Sequence, residues 1–170
     1  MSSKAKPSLW AILLLCGWAF ASLGALAYFE QQHYGVYDPD NELLRFNSAN
    51  AGHELALQGS DVLIAVIDPA CYCARAARVH LQQLKQQYPQ LVLQELTPAQ
   101  WRQHGPALPA TPAVVWYQRQ QLRYAGPLAQ GPNCSSDNDV LLPLLLGRQR
   151  LAGVWLNSET VACRCLPSAG

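Results

Sequence analysis

Hydrophobic positions along this chain form one long uncharged run near the start and several short runs after it. The long run covers residues 9–28; Lys4 and Lys6 precede it, and Glu30 follows it closely. A helix of about 20 residues crosses the hydrocarbon core of a bilayer, and positively charged flanks stay in the cytoplasm. The pattern predicts a cytoplasmic N-terminus at residues 1–8 and a single transmembrane anchor at residues 9–28.

A cleaved signal peptide is the alternative, since Ala25-Leu26-Ala27 has the small-residue pattern of a cleavage site. The anchor is favoured because the apolar core of a signal peptide is usually about 7–15 residues long. Under either interpretation the remainder is exported. We therefore expect a single-pass protein of the inner membrane with a soluble domain in the periplasm. Residues 29–54 are predicted to form a stalk and lead-in to that domain.

The short runs predict alternating strands and helices. Residues 61–67 are almost continuously apolar and rich in β-branched side chains, as in a strand that is covered on both faces. Residues 74–88 carry apolar side chains at helical spacing, and Pro89 ends that helix. Residues 91–96 form the next predicted strand, and residues 97–101 predict a short helix after it. Strand, helix and strand together indicate a βαβ unit.

Two more strands and a last helix complete the predicted order. Residues 113–118 and 122–128 flank a short polar turn and predict a hairpin. An apolar stretch at residues 139–147 predicts a helix, in which Pro143 indicates a late start or a kink. Its candidate N-caps are Ser135, Ser136 and Asp137. The chain is therefore predicted to have an α/β fold.

Composition agrees with one globular domain. Half of the 170 residues are hydrophobic, 14% are charged and the net charge is +1, which argues against a disordered chain and against a nucleic-acid partner. The sequence contains no nucleotide loop, zinc-peptidase motif or serine-nucleophile elbow. The length left after the anchor fits one domain, predicted at residues 55–147 and followed by a cysteine-containing tail at residues 148–170.

Cysteines carry the candidate chemistry, and five of the six follow the anchor. Cys16 lies inside the apolar run and is expected to behave as a small hydrophobic residue. The other five are Cys71, Cys73, Cys134, Cys163 and Cys165. Disulfides persist outside the cytoplasm, and an odd number of cysteines leaves at least one unpaired, intermolecular or metal-bound.

The order strand, cysteine motif, helix, strand, helix, Thr-Pro, hairpin, helix resembles the thioredoxin superfamily over residues 55–147. In that family the reactive cysteines follow a central strand and begin a helix, and a cis-proline loop faces them. The resemblance implies a three-layer thioredoxin-like fold with Cys71 and Cys73 at the first place and Thr111-Pro112 at the second. The chain departs from the family because it has Cys-x-Cys, without a central proline, where thioredoxins have Cys-x-x-Cys.

A narrower resemblance is to a proteobacterial family of membrane-anchored thioredoxin-like proteins of unassigned function, a domain of unknown function. It rests on Asp-Pro-x-Cys-x-Cys at residues 68–73, Thr-Pro-Ala at 111–113, Tyr-x-Gly-Pro at 124–127, a later single cysteine and a near-terminal Cys-x-Cys. This resemblance implies no substrate. The function has to be inferred from the chemistry of the cysteines.

A cysteine at a helix N-terminus is stabilised as a thiolate by unpaired N–H groups and the helix dipole. Cys71 is therefore predicted to attack, and Cys73 to resolve the mixed disulfide. A Cys71–Cys73 disulfide would close a tight ring, which favours an oxidase or isomerase over a reductase. We expect a thiol-disulfide oxidoreductase without a cofactor that acts on protein thiols or disulfides. Thr111 and Pro112 would contact an extended substrate strand.

Two polar residues near the motif are weaker candidates. Asp68 is predicted to cap the turn that begins at Pro69, with proton transfer during exchange as the alternative. His80 lies two helical turns after Cys73 and is expected to be a solvated helix residue, with contact to a metal or to the thiols as the alternative.

The later cysteines allow two interpretations. Cys134 could form a structural disulfide with one tail cysteine and so fix the tail to the domain. In the other interpretation, Cys163 and Cys165 are a second dithiol that exchanges electrons with the Cys71-Tyr72-Cys73 motif, as relay thiol proteins do. A separate redox partner protein would then be expected. The sequence does not decide the connectivity.

Two further classes of function stay open. Two Cys-x-Cys pairs and His80 could bind a soft ion such as Cu(I) or Zn(II), which would make the protein a metal chaperone. No metal ligands are assigned on this basis, because the chain has no methionine after Met1 to supply thioethers. The third class is a non-catalytic adaptor of thioredoxin-like fold in an envelope complex.

Overall fold

The chain divides into two units, Met1–Gln32 and His33–Gly170. The computed structural model describes residues 8–46, 52–56, 59–131 and 139–166. In chain order the strands are β1 (Tyr34–Val36), β2 (Asp61–Val66), β3 (Val92–Leu96), β4 (Ala113–Gln118), β5 (Gln121–Pro127), β6 (Trp155–Leu156) and β7 (Val161–Cys163). The helices are α1 (Leu9–His33), α2 (His53–Ala56), α3 (Ala74–Gln87), α4 (Pro98–Trp101) and α5 (Leu141–Leu145), and a 3-10 helix covers Glu42–Arg45.

The first unit is built on α1, a helix that exposes large apolar side chains such as Trp10, Leu14 and Phe20. By length and composition, Leu9–Gln31 could cross a membrane, with a mean hydropathy of 2.0. It is the one such helix among the residues that the structure describes. The predicted apolar helix is confirmed, and it continues past residue 28 into the segment predicted as a stalk.

The second unit is organised around a five-stranded mixed sheet in the order β3-β2-β4-β5-β6. Strand β2 is parallel to β3 and antiparallel to β4, β4 is antiparallel to β5, and β5 is parallel to β6. All six residues of β2 are buried, because the apolar run that follows Asp61 faces packed layers on both sides. The predicted α/β class, the βαβ unit and the hairpin are confirmed.

Hydrophobic side chains cover both faces of the sheet. On one face, α3 and α5 pack through Leu81, Leu84 and Leu141. On the other face, α4 and the segments before β2 contribute Trp101, Leu43 and Phe46 among others. The site described below lies at the end of β2 on the α3 face.

From His33 onward, the segment before the predicted domain belongs to the second unit, as does the segment after it. Strand β1 pairs antiparallel with β7, so that Tyr34 is opposite Cys163. Tyr37 is fully buried and donates a hydrogen bond to the Ala110 carbonyl at 2.9 Å. Strand β6 extends the edge of the sheet beside β5. The segments predicted as a stalk and as a tail therefore pair with each other and contribute to the core.

Helix α5 is shorter than the predicted helix and begins at Leu141. Asp139 Oδ1 accepts hydrogen bonds from the main-chain N–H groups of Leu141 at 2.7 Å and Leu142 at 3.2 Å. Pro143 then falls in the first turn, where a missing N–H group is tolerated. The late start that the proline predicts is therefore observed. The N-caps predicted at residues 135–137 lie outside the described residues.

Candidate functional site

The Cys-Tyr-Cys motif lies in the turn that joins β2 to α3. The Cys71 N–H group donates to the Asp68 carbonyl at 3.0 Å, and Asp68 Oδ1 accepts from the Ala70 N–H group at 2.9 Å. The side chain of Asp68 thus caps the turn, the simpler of its two predicted roles. Cys73 is the N-cap residue of α3, and its carbonyl accepts from the Ala77 N–H group at 2.9 Å. Both cysteines lie at the positive end of this helix.

Cys71 forms a disulfide with Cys165, 94 residues further along the chain, with an S–S distance of 2.05 Å. The Sγ atoms of Cys71 and Cys73 are 3.3 Å apart. The tight ring expected within the Cys-x-Cys motif is therefore not the disulfide of this structure. The tail supplies the sulfur that Cys71 binds, because the strand β7 carries residue 165 to the end of β2.

The Thr111–Pro112 peptide is cis, as the resemblance implied, and its loop lies beside Cys71. Thr111 and Cys165 form an antiparallel β-bridge. The Thr111 N–H group donates to the Cys165 carbonyl at 3.0 Å, and the Cys165 N–H group donates to the Thr111 carbonyl at 2.7 Å. The residue predicted to pair with an extended substrate pairs here with the chain's own tail.

Cys163 brings a fourth sulfur to the site. Its Sγ atom lies 3.5 Å from that of Cys73, and its side chain is buried. The Tyr72 hydroxyl forms a short hydrogen bond with Cys163 Sγ and lies 3.4 Å from the His33 carbonyl oxygen. The rings of Tyr72 and His33 pack edge to face, 4.7 Å between centroids. The middle residue of the motif, which sequence reasoning left without a role, thus contacts the tail cysteine.

Residues 41–167 match a family model described as a domain of unknown function, DUF6436. The chain belongs to the DUF6436 family. No curated protein matches it. The matched range includes the Cys-x-Cys motif, Thr111-Pro112 and both tail cysteines, so the sulfur cluster lies inside the DUF6436 domain. Cys134 falls in the same range but outside the described residues.

The four sulfurs that the structure describes in the DUF6436 domain are largely covered. Cys71 is 7% exposed, Cys73 4% and Cys163 4%, whereas Cys165 is half-buried and Tyr72 is 49% exposed. A cavity beside Cys163 has a volume of about 10 Å³, which holds about one water molecule. As the described residues define it, this cavity is too small for an organic ligand.

Three Sγ atoms, those of Cys71, Cys73 and Cys165, all lie within 4.8 Å of one another. Sulfurs this close can exchange disulfides, or can bind one soft metal ion when all three are thiolates. Arg78, on α3, pairs with Glu95 on β3 at 2.8 Å. The start of α3 places main-chain N–H groups beside Cys71 and Cys73.

His80 is not the solvated residue that the helix pattern predicts. It is 2% exposed, and its Nε2 atom lies 3.1 Å from Asp139 Oδ2. The signal that could have located it is its spacing, since it lies three residues after Ala77 and four before Leu84 on the buried face of α3. The prediction was wrong because that face was read only from its apolar members.

Proposed function

We propose that this chain is a membrane-anchored thiol-disulfide oxidoreductase of thioredoxin-like fold that acts on protein thiols outside the cytoplasm. The observation that carries the proposal is the disulfide of Cys71 to a cysteine held as an extended strand against Thr111. This arrangement has the form of a mixed disulfide between an enzyme and a bound peptide.

The architecture around Cys71 supports the fold part of the proposal. The motif follows a buried central strand and begins α3, and a cis Thr111–Pro112 peptide lies beside it. A parallel βαβ unit is followed by an antiparallel hairpin in one mixed sheet. These are the elements, in the order, on which the resemblance to the thioredoxin superfamily rests.

The exchange uses Cys71 and Cys73 in turn. The Cys71 thiolate attacks a substrate disulfide, which forms a mixed disulfide and releases one substrate thiolate. The Cys73 thiolate, with its sulfur 3.3 Å away, then attacks Cys71 Sγ, which forms the Cys71–Cys73 disulfide and releases the second substrate thiolate. The same steps in reverse oxidise a substrate dithiol. The tight ring of a Cys-x-Cys disulfide favours this oxidising or isomerising direction.

Main-chain pairing supplies the substrate recognition. Thr111 offers one N–H donor and one carbonyl acceptor to an extended strand, and both are used by Cys165 in the structure. Such pairing is independent of substrate side chains and fits unfolded or flexible proteins with exposed cysteines. Pro112 follows directly and, with Ala77 and Leu128, borders the small cavity beside Cys163.

The site would face the periplasm. The apolar helix Leu9–Gln31 is long enough to cross the inner membrane, and Lys4 and Lys6 precede it while Glu30 lies near its end. This charge pattern favours a cytoplasmic N-terminus, which would leave the DUF6436 domain on the oxidising side.

The test is disulfide exchange with an unfolded protein. The full chain in detergent is mixed with a reduced, unfolded protein that contains several cysteines, in a glutathione buffer, and the rate of disulfide formation is measured. The rate that the protein adds to disulfide formation in buffer alone is expected to fall by about 100-fold in Cys71→Ser, because the attacking sulfur is lost. Cys73→Ser is expected to accumulate a mixed disulfide with the substrate. Cys16→Ser, in α1, is the matched control and should keep the wild-type rate. Equal rates for wild type and Cys71→Ser would overturn the proposal.

A second candidate function, binding of a soft metal ion, is favoured by the three sulfurs within 4.8 Å of one another. After reduction of the disulfide, Cys71, Cys73 and Cys165 would present three thiolates to Cu(I) or Zn(II). The reduced full chain is titrated with each ion separately. Stoichiometric binding that is lost in Cys73→Ser and kept in Cys16→Ser supports a metal chaperone. Binding that survives Cys73→Ser, or no binding, rejects it.

A further inference from the structure

We propose that Cys163 and Cys165 form a second redox-active dithiol, which docks in the substrate position as an internal substrate and exchanges its electrons with Cys71 and Cys73. The inference rests on the proposed function and names the tail dithiol as the first electron donor or acceptor for Cys71 and Cys73. It makes the Cys71–Cys165 disulfide an intermediate of transfer rather than a permanent cross-link.

The tail is held by main-chain contacts on both sides of its cysteines. The Cys163 N–H group donates to the Gly131 carbonyl at 3.0 Å, and the Arg164 N–H group donates to the His33 carbonyl at 2.8 Å. Arg164 Nη1 also donates to the Val36 carbonyl at 2.6 Å. A β-carbon at Gly35 would lie 3.0 Å from Arg164 Nη2, so only glycine leaves this arginine its full space. The segment is thus presented to the motif as a docked strand.

The four sulfurs form a continuous series. Cys163 Sγ lies 3.5 Å from Cys73 Sγ, Cys73 Sγ lies 3.3 Å from Cys71 Sγ, and Cys71 Sγ is bonded to Cys165 Sγ. Residues 163 and 165 are two positions apart in an extended segment, so both side chains point to the same face. Each dithiol therefore presents two sulfurs to the other, which a single structural cross-link would not require.

Two exchange steps can start from the observed Cys71–Cys165 disulfide, and each step conserves atoms and electrons. In one, the Cys73 thiolate attacks Cys71 Sγ, the Cys71–Cys73 bond forms, and Cys165 leaves as a thiolate. In the other, the Cys163 thiolate attacks Cys165 Sγ, the Cys163–Cys165 bond forms, and Cys71 leaves as a thiolate. One disulfide and two thiols are present before and after each step, so no further oxidant is needed.

Docking of the tail limits the access of other proteins to Cys71. The Thr111 main chain cannot pair with an external strand while Cys165 occupies it. An external protein dithiol reaches Cys71 only when the tail has left, and the half-buried Cys165 is the sulfur of this disulfide nearer to solvent. Transfer therefore alternates between an external protein and the tail. A dithiol of a second protein then reduces the Cys163–Cys165 disulfide of the oxidised tail.

The test maps disulfides in the full chain in detergent, after addition of one equivalent of glutathione disulfide and acid quenching at set times. Cleavage after Tyr72 separates Cys71 from Cys73, and cleavage after Arg164 separates Cys163 from Cys165, so mass spectrometry distinguishes all the pairings. The wild type is expected to interconvert Cys71–Cys165, Cys71–Cys73 and Cys163–Cys165. The double variant Cys73→Ser/Cys163→Ser is expected to accumulate Cys71–Cys165 and to lose it at least about tenfold more slowly, since both resolving thiols are gone. Cys16→Ser is the control.

A wild type that contains only Cys71–Cys73, or a Cys71–Cys165 disulfide that never exchanges, would overturn the relay. Exchange with the unfolded protein is measured on the same samples. A relay that fails while Cys165→Ser still oxidises this protein at the wild-type rate leaves the proposed function standing. Internal exchange without any reaction with the unfolded protein overturns the proposed function instead.

Discussion

Cys165 and Thr111 exchange two main-chain hydrogen bonds, of 2.7 and 3.0 Å, while the side chain of Cys165 is bonded to Cys71. A strand pairing and a covalent bond thus join the same tail residue to two parts of the site. This relationship connects the fold to the proposed chemistry, because the tail occupies the place that an extended substrate would need.

Reduction of the Cys71–Cys165 disulfide should destabilise the second unit. The bond closes a loop of 94 residues, for which the loss of chain entropy in the unfolded state predicts about 4–5 kcal/mol. We expect dithiothreitol to lower the free energy of unfolding of the full chain by this amount in a urea titration followed by tryptophan fluorescence. Cys165→Ser should already have a lower value and should respond less to the reductant, because a Cys71–Cys73 disulfide closes only a very short loop. Cys16→Ser should behave like the wild type. If the reductant does not change the free energy of unfolding of the wild type, the stabilising role of the Cys71–Cys165 disulfide is contradicted.

Asp139→Ala should destabilise the unit through two losses. The variant removes the acceptor for the N–H groups of Leu141 and Leu142 and leaves the buried His80 without its carboxylate. The two lost main-chain hydrogen bonds and the lost 3.1 Å contact of a buried histidine with a carboxylate together predict about 2–4 kcal/mol in urea unfolding. Asp139→Asn keeps one acceptor oxygen and should cost less. Val79→Ala, on the exposed side of α3, is the control and should change stability by about 0.5 kcal/mol or less. Equal effects of the two alanine variants would refute the role of Asp139.

Tyr117→Phe should keep the protein folded to a higher pH. Burial raises the pKa of Tyr117 from 10.0 to about 12, and its hydroxyl has no hydrogen-bond partner among the residues that the structure describes. The neutral phenol is the stable folded form, so its contribution is present below pH 10 and is lost as the pH rises through about 12. We expect a higher pH midpoint of unfolding, with little change at pH 7.

Tyr37→Phe is the matched comparison for this prediction. Tyr37 is also fully buried, and burial raises its pKa, but its hydroxyl donates to the Ala110 carbonyl at 2.9 Å. Loss of this hydrogen bond should lower the free energy of unfolding by about 1 kcal/mol at pH 7. An unchanged alkaline midpoint for Tyr117→Phe would contradict the expected titration.

The central strands and the main helix could be predicted from the sequence because their patterns are long. Residues 62–67 are continuously apolar, and α3 repeats apolar positions over four turns, so the hydrophobic pattern alone indicates their structure. Strands β1, β6 and β7 have only two or three residues each. Their pairing depends on partners far away in the chain, which leaves no periodic signal to detect.

The candidate site was predicted in its parts but not in its connectivity. The Cys-x-Cys motif and Thr111-Pro112 were singled out by the resemblance to the thioredoxin superfamily, in which each lies next to a central strand. The bond between Cys71 and Cys165 spans 94 residues and depends on the pairing of β1 with β7. No local pattern encodes that distance, so the sequence leaves two interpretations of the tail open.

The measurement that tests the proposed chemistry most directly is a redox titration of the Cys71 disulfide in glutathione buffers, read by alkylation and mass spectrometry on the full chain. We predict that Cys71 passes reversibly between disulfide and thiol, with the same midpoint approached from the oxidised and the reduced side, and that Cys73→Ser slows this equilibration. A Cys71 that stays in one state from fully reducing to fully oxidising buffer would contradict the account.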